Sequence, residues 1–169
     1  MRLLIKTSFA VLCGIAPFSC LAGSWRSYFS LVVVDACKPR FFDGTSRLER
    51  VEGAGQGAWR GGSQSSLTAL LGVPPHSILY AGDHLYADII QLGKHCDWRS
   101  LLVVPELQTA AAAAALFRCR GRLSHFGAGA AGWADLYTAS VSNLHNYQPN
   151  HRFVCKAQSL PHDAAKDRD

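Results

Sequence analysis

The sequence predicts an α/β fold with a parallel sheet, on three observations. Three apolar runs each end in a turn-forming or charged residue, helical stretches separate them, and the length suits one domain. Leu31-Val32-Val33-Val34 ends at Asp35, Ser77-Ile78-Leu79-Tyr80 runs into Ala81-Gly82-Asp83, and Ser100-Leu101-Leu102-Val103-Val104 stops at Pro105. Runs that are apolar throughout, rather than alternating, mark strands covered on both faces, as in parallel sheets. Strand, helix and strand in alternation then build βαβ units.

At the N-terminus, Arg2 and Lys6 precede an apolar run from Phe9 to Phe18, and Ser19-Cys20-Leu21-Ala22-Gly23 offers small residues for cleavage after Ala22. That is a secretory-signal pattern. The same residues also read as a buried strand, Leu3-Leu4-Ile5, followed by an apolar helix. Gly53 to Gly62 holds five glycines in ten residues and reads as a flexible loop. It contains neither GxGxxG nor a Walker pattern, so it is not expected to cradle phosphate. Ser63 to Leu71 has a polar start suited to an N-cap and a stop at Gly72. Leu85 to Lys94 carries Leu85, Ile89 and Leu92 at helical spacing. Ala110 to Ala115 is an alanine run that reads as helix. Trp133 to Leu144 places Trp133, Leu136, Tyr137, Ser140 and Leu144 at helical spacing and reads as an amphipathic helix. From Gln158 the tail is polar. Residues 1–23 thus form an ambiguous apolar start, 24–107 a partial α/β core, and 108–169 an alanine-rich, helical C-terminal segment.

Composition narrows the function classes. The 169 residues are 49% hydrophobic and 17% charged, as in globular chains. Seventeen Lys and Arg against twelve Asp and Glu leave +5, with no basic run. Nucleic-acid binders cluster such charge, so no nucleic-acid partner is expected. Beyond the N-terminus no stretch of ~20 apolar residues exists, which excludes a bundle of membrane spans. Cys13, Cys20, Cys37, Cys96, Cys119 and Cys155 are scattered without a CxxC pair. That spacing suits reduced cysteines in a reducing compartment better than a disulfide framework or a zinc site.

Two strand ends carry the candidate chemistry. Asp83 follows a buried strand directly, at the carboxyl edge where α/β folds place ligands. Asp88 comes about one helical turn later, so both carboxylates can approach one spot and suit Mg²⁺, a cation of hard oxygen ligands. The alternative is that Asp83 caps the following helix and Asp88 is solvated. Lys38, after Val34-Asp35-Ala36-Cys37, can project over the same edge and neutralise a phosphate, or be a surface lysine in the turn before Pro39.

The segment Tyr28 to Phe42, with its VVVDACKPRFF core, resembles the cytosolic purine 5'-nucleotidases of the haloacid dehalogenase superfamily, which act on IMP and GMP. Ser77 to Asp88 (SILYAGDHLYAD), Trp98-Arg99 and Val103-Val104-Pro105-Glu106-Leu107 continue the match in order. Ala134 to Ser140 and Leu160-Pro161-His162 resemble the family's C-terminal region. The resemblance implies a Rossmann-like sheet of the haloacid dehalogenase type and Mg²⁺-dependent hydrolysis of purine nucleoside monophosphates. It further implies a cytoplasmic location and a homo-oligomer. By it Lys38 offsets charge on phosphoaspartate and nucleophile, Asp83 is a Mg²⁺ ligand supported by Asp88, and Thr7 or Ser8 is the phosphoryl-binding hydroxyl.

The departures are as informative as the match. The family's nucleophile lies in a DxDxT-type motif, and the only DxD here is Asp167-Arg168-Asp169, with no apolar strand before it. The cap that selects the base is absent as well. The expected fold is therefore incomplete, because the central nucleophile strand would lie between the motif strands. Without it the strands at Leu31 and Ile78 lose their shared neighbour and leave backbone groups unpaired. The expectation is a nucleotidase-family chain that is inactive alone. The alternatives are a non-catalytic interaction module or subunit fragment, or a small secreted protein.

Overall fold

The computed structural model describes residues 3–5, 29–52, 57–148 and 151–153. The signal-like run from Phe9 to Phe18, Thr7, Ser8, Cys13, Cys20, Cys155 and the tail from Gln158 lie outside them. The chain folds as α/β with parallel sheets, an incomplete Rossmann-like arrangement. In chain order, the strands β1 (Leu3–Ile5) and β2 (Leu31–Val34) lead to α1 (Arg40–Asp43). Then come β3 (Leu48–Arg50), β4 (Ala58–Gly61) and α2 (Gln64–Leu71). After β5 (Leu79–Gly82) a π-helical turn, Leu85–Ile90, runs into α3 (Gln91–His95). Strand β6 (Arg99–Val103) precedes α4 (Ala110–Phe117), a hairpin of β7 (Arg118–Cys119) and β8 (Arg122–Leu123), α5 (His125–Trp133) and β9 (Leu136–Thr138).

The strands form two sheets in the order β1-β2-β4-β3 and β5-β6-β9. All pairs in them are parallel except β3 with β4. The strand at Leu31 therefore keeps a neighbour on each side, contrary to expectation. Among the described residues the edge strands are β1 and β3 of one sheet and β5 and β9 of the other.

Helix α2 forms where its punctuation predicts. The Ser63 hydroxyl accepts from the Ser66 N–H and Ser66 answers in a capping box, while Gly72 closes the helix in the left-handed region at φ 62°. Two sequence expectations are corrected. The glycine-rich stretch is not all loop, because Ala58–Gly61 pairs with β2 and β3. The stretch Trp133 to Leu144 is not a helix. Trp133 ends α5, and Leu136–Thr138 becomes a third parallel strand beside β6. The helical spacing there was accidental, and burial of Leu101 and Leu102 against a neighbouring strand decides the matter.

Two apolar cores hold the layers together. One joins Val33 of β2, Phe41 and Phe42 of α1, Leu67 of α2, Tyr80 of β5, Leu92 of α3 and Trp98, so both sheets share it. The other joins Ile89, Leu102, Val104, Phe117 and Ala130. The continuous helical segment after β5 thus feeds Ile89 into one core and Leu92 into the other.

The start of β6 is clamped to the end of α5 by Asp135. Its carboxylate accepts from the Ser100 N–H at 2.8 Å and the Ser100 hydroxyl at 3.0 Å, with Arg99 at 3.2 Å. Ser100 is buried, so removing this acceptor strands a backbone donor. Asp135→Ala is expected to lower unfolding free energy by about 2 kcal/mol in a urea titration, whereas loss of the exposed Arg99 contact in Arg99→Ala costs under ~1 kcal/mol.

Candidate functional site at the carboxyl ends of β2 and β5

The site is built where two parallel strands end. Beyond β2, Asp35 adopts a left-handed backbone at φ 54°, which Asp tolerates better than most residues. Its carboxylate pairs with Arg60 at the end of β4, 3.1 Å away. Ala36 then turns into the core, and Phe41 and Phe42 anchor α1 behind it. Between these anchors Lys38 is held pointing across to the second sheet.

On that side Gly82 ends β5, and Asp88 folds back against it. A Cβ at Gly82 would lie 2.5 Å from Asp88 Oδ2 and 2.7 Å from its Cγ, so the approach needs a glycine. Asp88 is 2% exposed, and each of its oxygens is engaged. Oδ1 receives Lys38 Nζ at 2.6 Å and the Tyr80 hydroxyl at 3.0 Å. Oδ2 accepts the His84 N–H at 3.2 Å. His84 also caps the π-helical turn, its Nδ1 accepting the Ala87 N–H at 3.0 Å. The Lys38 ammonium further lies 5.3 Å from the centre of the Tyr80 ring, a cation–π contact. Burial, and then the adjoining Asp88 carboxylate, push the Tyr80 hydroxyl far above the ordinary tyrosine range.

Lys38 and Asp88 are thus brought together, while Asp83 stands exposed immediately after β5. The helix cap is His84 rather than Asp83, and Asp88 is buried rather than solvated. Sequence reasoning did not single out Tyr80, Gly82 or His84 for these roles. Their signal was proximity alone, within the six residues around Asp83.

These side chains do not fit a magnesium ion by themselves. Mg²⁺ wants several oxygens in octahedral array. Asp88 already carries an ammonium on Oδ1, and no group of three or more His, Cys, Asp or Glu side chains gathers among the described residues. A metal at Asp83 would need oxygen ligands from elsewhere.

The 5' nucleotidase family matches residues 12–115 and 110–165. The chain belongs to that family. It is 31% identical over 97 residues to the human 5'-nucleotidase domain-containing protein 2. That match takes in 50% of this chain but 19% of the relative, so the chain spans about a fifth of that protein's length. The family is generally metal-dependent, which places the mismatch of the described carboxylates with Mg²⁺ among the features to be explained.

Tyr80 gives the site a pH signature. The unfolded chain ionises this hydroxyl near pH ~10, whereas burial keeps it neutral well beyond that in the folded state. Its contribution to stability is present below pH ~10 and is lost as pH rises above it. Tyr80→Phe loses the hydrogen bond but not the ring and should be about 1–2 kcal/mol less stable at neutral pH. The gap to the native chain should narrow above pH ~10 in chemical denaturation, and a gap independent of pH would contradict the assignment.

Proposed function

We propose that this chain carries the lysine and carboxylate part of a phosphohydrolase site for purine nucleoside 5'-monophosphates, with IMP and GMP as the type substrates. The observation that carries it is Lys38 reaching Asp88 across the carboxyl ends of parallel strands from two sheets. Phosphoryl transfer is catalysed chiefly by placing fixed positive charge at the phosphoryl oxygens. Lys38 Nζ, 20% exposed and immobilised by Asp88 and the Tyr80 ring, is such a charge. Asp83, exposed at the strand end, is the carboxylate we assign to the family's magnesium. Thr7 or Ser8 is assigned the phosphoryl-binding hydroxyl by resemblance alone. The attacking carboxylate is supplied by none of these groups, so the chain is inactive alone. We place the activity in the cytoplasm, as the resemblance implies.

A second reading is favoured by the open edges of the two sheets, at β1, β3, β5 and β9: a non-catalytic subunit that pairs an edge strand with another polypeptide. The two readings part on one assay. The purified chain with millimolar Mg²⁺ should release no phosphate from IMP or GMP. Joined to a polypeptide that supplies an Asp-x-Asp strand, it should release phosphate, and Lys38→Met should lower that rate about a hundredfold or more. Failure of the joined protein to act on either nucleotide favours the subunit reading. Mg²⁺ alone should not raise the melting temperature, because stabilisation requires specific binding and would reach about 2.7 kcal/mol at a hundredfold excess over Kd. Phosphate release by the isolated chain, or a Mg²⁺ shift that vanishes in Asp83→Asn, would show an intact site.

A further inference from the structure

We infer that Tyr80 is a positioning residue that sets the place and mobility of the Lys38 ammonium, a role that rests on the phosphohydrolase reading for its use. Three contacts converge on it. Its hydroxyl donates to Asp88 Oδ1, the same oxygen that receives Lys38 Nζ, at 3.0 and 2.6 Å respectively. Its ring faces that ammonium from 5.3 Å. The ring itself cannot drift, because it meets Phe42 edge-on at 5.3 Å and Trp98 at 6.4 Å.

Phe42 lies in the helix that follows Lys38-Pro39, so Tyr80 touches the lysine's own support as well as its partner. A carboxylate with two donors on one oxygen and a backbone N–H on the other has no free rotation about its Cβ–Cγ bond. Remove the hydroxyl, and Oδ1 keeps one donor only. Asp88 can then turn, and Lys38 gains room to leave it. A tyrosine that merely fills the core would not act this way, since phenylalanine fills the same space.

The distinguishing observable is the Lys38 ammonium itself. Lysine NH₃⁺ protons exchange too fast for detection in water unless the group is held and hydrogen-bonded. ¹H–¹⁵N spectra of the full chain should show one protected lysine ammonium, assigned by its loss in Lys38→Met and in Asp88→Asn. In Tyr80→Phe its exchange with water should quicken about tenfold, the effect of one hydrogen bond to a charged acceptor. Tyr80→Met, smaller than tyrosine and without a side-chain donor, should quicken the exchange in the same way if the phenylalanine variant is poorly folded. Unchanged exchange in a folded Tyr80→Phe overturns the inference, as does the absence of any protected lysine in the native chain. None of these spectra depends on turnover, so the positioning role and the phosphohydrolase reading can fail separately.

Discussion

Everything at this edge depends on one buried carboxylate being worth its desolvation. An ionised Asp88 taken out of water costs several kcal/mol unless its oxygens are satisfied. Lys38, Tyr80 and the His84 N–H satisfy them, and each donor comes from a different local structure. Lys38 comes from the loop after β2, Tyr80 from β5, and His84 from the start of the π-helical turn. The wider π turn lets Asp88 fold back onto Gly82 while Ile89, the next residue, enters the second core. An insertion of this kind is unfavourable as helix and is kept where it places a side chain. Here it places Asp88.

This arrangement makes the two sheets interdependent without backbone pairing between them. The shared aromatic core of Phe41, Phe42, Tyr80 and Trp98 supplies the apolar contact, and the Lys38–Asp88 pair supplies direction. Apolar contact alone tolerates sliding, whereas an ion pair at one end of the strands fixes their relative height. Each sheet keeps two open edges, at β1 and β3 and at β5 and β9. Among the described residues no group of three or more His, Cys, Asp or Glu side chains gathers at the Lys38–Asp88 edge.

Much of this was legible in the residues. The runs at Leu31, Leu79 and Leu101 identified parallel strands because each is apolar throughout, although Leu79 itself is 46% exposed in the structure. Ser63 and Gly72 bounded α2 because capping is local chemistry. That Lys38 and Asp83 lie beyond strand ends was legible for the same reason, because each follows its apolar run. Other features were hidden because they depend on contacts distant in sequence. Leu136–Thr138 becomes a strand only because β6 offers an unpaired side, and Ala58–Gly61 is ordered by β2 and β3 despite its glycines. Tyr80 looked like one more apolar strand residue. Its role emerges only when Asp88 turns back toward it across eight positions.

The coupling between Lys38 and Asp88 is most directly measured by a double-mutant cycle of Lys38→Met and Asp88→Asn, read as unfolding free energy in urea at neutral pH. Each substitution alone strips a partner from a largely buried charge or from its hydrogen-bond acceptor. Together they leave neither, so the double variant should lose less than the sum of the single losses. A coupling energy of about 1–3 kcal/mol is the result this account predicts. Additivity within ~0.5 kcal/mol would mean that the pair does not tie the two sheets together, and would contradict it.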